Sequence, residues 1–153
     1  MQYEEGTIGR IFVLRLEEGD RLPETVETFA REHGIRAATV LYLGGAADGS
    51  KLVVGPEENR GEAIVPIVHR LKGIQEVMGV GTLFPNESGD PILHLHAATG
   101  REGDATVGCT RAGVAVWLVG EVVLFEIAGS SGQRRTIPGT PLELLELAGS
   151  QQA

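Results

Sequence analysis

Ile92-Leu93-His94-Leu95-His96-Ala97-Ala98-Thr99 alternates apolar and imidazole side chains with a period of two, which is the pattern of a β-strand and not of a helix. In a strand, His94 and His96 share one face, roughly 6–7 Å apart along the chain. Leu93, Leu95 and Ala97 then face the other way, into apolar packing. Rotamer choice can bring two imidazole nitrogens onto one ion, and neutral imidazole is a favoured ligand for Zn, Fe, Ni and Cu. The competing reading places both histidines on a polar sheet face or a subunit interface. Burying two imidazoles without partners is costly, and that cost brings the metal reading level with it.

Working outward, short apolar runs separated by turn residues recur along the chain. Gly9 to Leu16 reads as a first strand, followed by a turn at Gly19-Asp20. Leu22-Pro23-Glu24-Thr25 opens the one clear amphipathic helix, with Val26, Phe29 and Ala30 as its apolar stripe and Gly34 as its stop. Ile35 to Leu43 is a second strand, ended by Gly44-Gly45. Lys51 to Val54 is a short strand before the polar turn Gly55 to Gly61. Ala63 to Leu71 and Ile74 to Leu83 flank Lys72-Gly73, and Phe84 to Pro91 is a loop. Past the histidines, Gly100 to Asp104 turns into a strand ending at Cys109. Ala112 to Leu118 and Glu121 to Ile127 complete the expected core. After Gly129 the tail is expected to be less ordered, with one short element over Thr136 to Leu147 and a frayed end over Gly149 to Ala153. One helix among many short strands predicts an α+β domain on a mostly antiparallel sheet, a single domain over 1–153.

Composition agrees. The 153 residues include 22 glycines and are 42% hydrophobic, with a mean hydropathy of +0.03, as expected for one globular domain rich in turns. The longest apolar run, Val114 to Val119, is strand-sized and far short of a membrane span. The start, Met1-Gln2-Tyr3-Glu4-Glu5, is unlike a signal peptide, and the single cysteine suits a reducing compartment. Both features predict a cytoplasmic protein. A net charge of −8 disfavours direct nucleic-acid binding. The basic residues cluster only at Arg134-Arg135, expected as solvated surface.

Two ligands do not complete a site. Cys109, at the end of the next strand, is returned beside His94 and His96 by a hairpin, and its thiolate is a good soft ligand; a free cysteine is also often only a small buried hydrophobe. His69, in Ile67-Val68-His69, is the other candidate. Three protein ligands would look catalytic and four structural. His33 closes the helix, where a cation suits the dipole. Arg15, flanked by apolar residues, is expected to face inwards or into an interface. It would need a carboxylate such as Glu121 or Glu126, as a structural ion pair or as a hook for an anionic ligand. Arg101 follows the histidine strand and could reach the mouth of the same pocket. Gly79-Val80-Gly81-Thr82 lacks the spacing of a nucleotide-binding loop and reads as a tight sheet crossing.

Several segments, taken in order, resemble the PPC ("plant and prokaryote conserved") domain. They are Phe12-Val13-Leu14-Arg15-Leu16 with Gly19-Asp20, then Ala37-Ala38-Thr39-Val40 leading to Leu43-Gly44-Gly45-Ala46. Gly79 to Thr82, Pro91 to Ala97 and Gly120 to Ile127 follow, so the likeness spans about residues 8–128 and leaves a C-terminal extension. The resemblance implies a helix carried on an antiparallel sheet and a homotrimeric assembly. It also implies a metal site built on the His-x-His strand and a later Gly-Gly-His. His94 and His96 stand in the first motif, while Gly108-Cys109 occupies the place of Gly-His, shifting the preference towards softer ions such as zinc. In plants the domain accompanies an Arg-Gly-Arg-Pro segment that reads the minor groove, and no such segment occurs here.

The expectation is therefore a small trimeric protein holding a transition metal, zinc, through His94 and His96 with Cys109 or His69. Arg15 or Arg101 would orient a small anionic ligand. If the protein is an enzyme, an open zinc position polarising a carbonyl or activating water is the chemistry to expect. The alternative is an assembly or regulatory module that acts through partner binding, including DNA-associated proteins, without catalysis.

Overall fold

Period-two burial governs most of the chain. The structure, a computed structural model, describes residues 1–57, 64–138 and 142–147. The expected turn ending at Gly61, the strand start at Ala63 and the frayed end over 149–153 fall wholly or partly outside the described residues.

β1 (Thr7–Glu17) turns Phe12, Leu14 and Leu16 to one side and Ile11, Val13 and Arg15 to the other. β2 (Arg21–Leu22) is a two-residue strand leading into α1 (Glu24–Glu32). The helix forms because Val26 and Ala30, four residues apart, bury on one face, while Glu24 and Glu27 lie near the positive end of its dipole. It ends at Gly34, whose φ of +63° is one that glycine adopts freely. β3 (Ala38–Ala46), β4 (Lys51–Pro56), β5 (Pro66–Arg70), β6 (Gln75–Pro85), β7 (Pro91–Arg101), β8 (Asp104–Cys109) and β9 (Val114–Ala128) follow. The sheet order is β1-β9-β3-β6-β7-β8-β4-β5, with β2 beside β9. Every pairing is antiparallel.

The helix covers one face of this sheet. Val26 and Ala30 pack there with Leu16, Val40, Tyr42, Leu93, Leu95, Val122 and Leu124. Each large apolar side chain buried in this way contributes about 1.5–3 kcal/mol. The Glu27 carboxylate accepts the Leu93 backbone N–H at 2.8 Å, tying the helix to the histidine strand. The opposite sheet face is not covered by the helix, and Ile11, Val13, Leu41, Leu43, Met78 and Val80 are exposed on it.

Three expectations need correcting. Ala112 to Leu118 and Glu121 to Ile127 are not two strands but the single β9, bent by a bulge where Gly44 pairs with Gly120 and Gly45 with Trp117. Leu118 sits in the bulge at φ +62°, and the extra residues re-aim the strand without ending it. Gly120 permits this crossing because a Cβ there would lie 2.8 Å from the Tyr42 ring. The C-terminal element is a hairpin of two strands, β10 (Gln133–Thr136) and β11 (Glu143–Glu146). Within it Arg134 is buried rather than solvated, at 4% exposure. No helix among the described residues is long and apolar enough to cross a membrane.

Candidate metal centre

The β7–β8 ladder builds the site. His96 pairs directly with Cys109, and Cys109 pairs in turn with Val53 of β4. Directly paired residues in adjacent strands share a sheet face, so the sulfur emerges on the face that carries His94 and His96. The three ligand atoms lie within 4.8 Å of one another. The two Nε2 atoms approach to 3.1 Å with the rings nearly perpendicular, at 81°. Two nitrogens on one tetrahedral zinc would stand about 3.3 Å apart, from a Zn–N bond of about 2.05 Å. The histidine nitrogens thus have the spacing of two ligands on one ion, and the mixed nitrogen and sulfur set suits zinc chemically.

Local packing fixes this arrangement. Gly81 lies across β6–β7 from Leu95, and a Cβ on it would fall 2.6 Å from the His94 carbonyl oxygen and 2.8 Å from Leu95 Cβ. Glycine is what lets β6 close on β7 while Leu95 fills the core. Just after Cys109 the chain makes a 3₁₀ turn, Thr110–Ala112. The buried Thr110 hydroxyl donates to the Leu95 carbonyl at 3.2 Å, which pins this turn beneath the histidines.

Burial, helped by the charges of Arg134, His96 and Arg111, holds His94 below its ordinary pKa. The neutral imidazole, with a free lone pair, is the ligand form. Cys109 is 3% exposed while both imidazoles reach the surface, so the cluster is closed beneath and open above. Two cavities meet there. One, of about 450 Å³, is lined by His94, His96, Cys109, Arg111 and Val54. The other, of about 440 Å³, is lined by His94, Cys109, Arg111, Arg134, Leu142 and Glu143.

The remaining predicted residues lie apart from this cluster. His69 pairs with Leu52, one position away from the Val53–Val68 pair that continues the Cys109 row. The pleat therefore turns His69 to the opposite face, and it is not in the ligand cluster found among the described residues. Arg15 is not inward: its side chain is 68% exposed and pairs with Glu17 at 2.8 Å. The expected partner Glu126 is held instead by Arg10 at 2.7 Å. Arg15 borders a separate groove of about 690 Å³ between β1 and α1, which shares no lining residue with the cluster. Arg101, at the far end of β7, is engaged by Glu102 and by the Ile74 carbonyl. His33 does close the helix, its Nδ1 3.0 Å from the Phe29 carbonyl oxygen.

Sequence reasoning missed Arg111 and Arg134. A signal for Arg134 was present: adjacent arginines in a strand face opposite ways, so Arg134 and Arg135 could not both lie on the outer face. Arg135 pairs with Glu146 at 2.8 Å. Arg134 Nη2 donates to the Thr82 carbonyl and hydroxyl at 3.1 and 3.0 Å, and its Nε to the Ile92 carbonyl at 3.4 Å.

Comparison with known proteins accords with this fold. Residues 3–128 match the model of the Plants and Prokaryotes Conserved (PCC) domain. A plant- and prokaryote-conserved (PPC) protein from Pyrococcus horikoshii is 26% identical, with a TM-score of 0.81 over 95% of this chain and 97% of the other. A metal-containing protein from Archaeoglobus fulgidus is 25% identical, with a TM-score of 0.78 over 94% and 98%. A protein from Ralstonia eutropha JMP134, described as a candidate DNA-binding protein, is 20% identical, with a TM-score of 0.67 over 88% and 90%. At that identity the last shows a shared fold alone. No curated protein matches the sequence significantly.

Proposed function

Because the chain belongs to the Plants and Prokaryotes Conserved domain family, we propose that it is a metal-binding member, holding a divalent ion, zinc, on His94 Nε2, His96 Nε2 and Cys109 Sγ. The observation that carries this reading is the convergence of those three donors within 4.8 Å. A mixed nitrogen and sulfur set suits zinc better than the hard ions, which prefer oxygen. Three ligands leave one tetrahedral position, the count found in catalytic zinc sites and not in closed structural ones. Zinc in such a site supplies Lewis acidity at that position. The chain's part is to hold His94 neutral, to shield the sulfur beneath the rings and to set Arg111 at the rim.

The same reading includes a homotrimer. Six large apolar side chains, Ile11, Val13, Leu41, Leu43, Met78 and Val80, are exposed on one sheet face, the kind of patch that marks an interaction surface, and assembly of copies would cover it. The regulatory, DNA-associated reading has weaker support, since a net charge of −8 opposes contact with phosphates.

Metal analysis of protein purified without an affinity tag tests the proposal. About one zinc per chain, retained through dialysis, is expected. Less than about a tenth of an equivalent, unchanged on soaking with zinc, would refute it.

A further inference from the structure

The cavity on the β10–β11 side of the cluster differs from its surroundings in charge. The chain as a whole is strongly acidic, yet Arg111 and Arg134 both line this cavity beside His94 and Cys109. Arg134 is 4% exposed. Its contacts to Thr82 and Ile92 are with neutral oxygens. Among the described residues, neither arginine has a carboxylate within 4.0 Å. A buried guanidinium is costly unless an anion accompanies it. Glu143, exposed in the same wall, is the main negative charge acting on Arg134 but stands beyond ion-pair distance of it. The rest of that wall is apolar, with Ile92, Leu142 and Leu144.

We propose that this cavity binds a small organic carboxylate, its carboxyl group drawn to Arg111 and Arg134 beside the metal and its apolar body lying against Ile92, Leu142 and Leu144. The Arg111 guanidinium can match both oxygens of a carboxylate, while Arg134, whose Nε and Nη2 are already donated to Ile92 and Thr82, adds its charge and Nη1. The apolar wall favours a ligand with a hydrocarbon portion over inorganic phosphate, which would leave that wall unfilled. Arg134, Leu142 and Leu144 all come from beyond residue 128, where the match to the family model ends. The C-terminal hairpin is thus the part of this chain that shapes the ligand, while the family domain supplies the metal ligands. This inference rests on the metal reading for the carboxylate's second anchor.

The test is a fluorine NMR titration of 4,4,4-trifluorobutyrate into the protein with and without zinc, repeated for Arg111→Gln and Arg134→Lys. Saturable binding is expected, at least tenfold tighter with zinc. Arg111→Gln, an exposed position that should fold normally, is expected to weaken it at least tenfold when compared at equal zinc loading. Arg134→Lys keeps the charge but loses the contacts to Thr82 and Ile92 that position it, and should weaken binding as well. Stoichiometric zinc without saturable binding, or binding indifferent to Arg111→Gln, would overturn the inference while leaving the metal reading intact. Arg111-dependent binding in a protein that takes up no zinc would refute the metal reading and uphold the arginine cavity. An equal response to inorganic phosphate would overturn the assignment to an organic carboxylate.

Discussion

Cys109 lies directly opposite His96 in the antiparallel β7–β8 ladder, and this one pairing converts a two-histidine strand into a three-donor cluster. A slip of one residue would turn the sulfur to the helix-covered face. The metal reading therefore depends on register as much as on residue identity.

Substitution separates the candidate ligands. Cys109→Ser and His94→Ala should each lose most of the bound zinc, measured by metal analysis after dialysis, while His69→Ala should retain it because the pleat turns His69 to the other face. Zinc should also stabilise the wild-type fold. At a free concentration of 100 times Kd the gain is about 2.7 kcal/mol, read as a rise in Tm that chelator reverses and that Cys109→Ser abolishes.

Gly81→Ala should destabilise the protein by about 1–3 kcal/mol, the usual cost of overpacking, because the new Cβ meets the His94 carbonyl and Leu95. Denaturant titration gives the loss in stability. Zinc affinity should fall as well, since relief of the clash requires β7 to move.

Acid should weaken the clasp between the N-terminal strand and β9. Arg10 accompanies Glu126 through a side-chain ion pair and a backbone N–H, holding the carboxyl down at about 2 against a usual 4.5. Because the folded-state value is depressed, the stabilisation is present above pH 4.5 and is lost as pH falls towards 2. Water reaches Arg10 and screens the pair, so the contribution is small. Glu126→Gln should therefore lower Tm at pH 7 and leave it close to wild type near pH 2, by thermal melts at both values.

Leu43→Glu should break the proposed trimer without unfolding the protomer, since Leu43 is 57% exposed on the uncovered sheet face. Light scattering coupled to gel filtration would report a mass of one chain where the wild type gives three. A wild-type mass of one chain would refute the trimer.

Elements with strong local periodicity were legible in the sequence. The helix from Glu24 and the histidine strand follow from apolar spacing and turn residues alone. From sequence β9 reads as two strands, because Val119-Gly120 resembles a turn, and the pairing with β3 makes it a bulge. Arg15 was placed inward because its neighbours are apolar, but both sides of β1 carry apolar residues, so composition could not say which side faces the helix. Arg134 reads as solvated because it stands beside another arginine. Its burial depends on the C-terminal hairpin folding back against β6 and β7, a contact between residues about 50 apart in the chain, and pairing at such separation leaves little local trace.

The sequence by itself determined the strand that carries His94 and His96, the side of that strand they share, and the resemblance to the PPC family, because a period of two and an ordered set of motifs are local properties. Tertiary structure decided which third side chain joins them and which cations surround them. Register across β7, β8, β4 and β5 brings Cys109 to the histidine face and turns His69 away from it. The hairpin beyond residue 128 brings Arg134 to the same cavity. Each of these is a distance between remote parts of the chain, set by how the strands pair and not by the order in which residues follow one another.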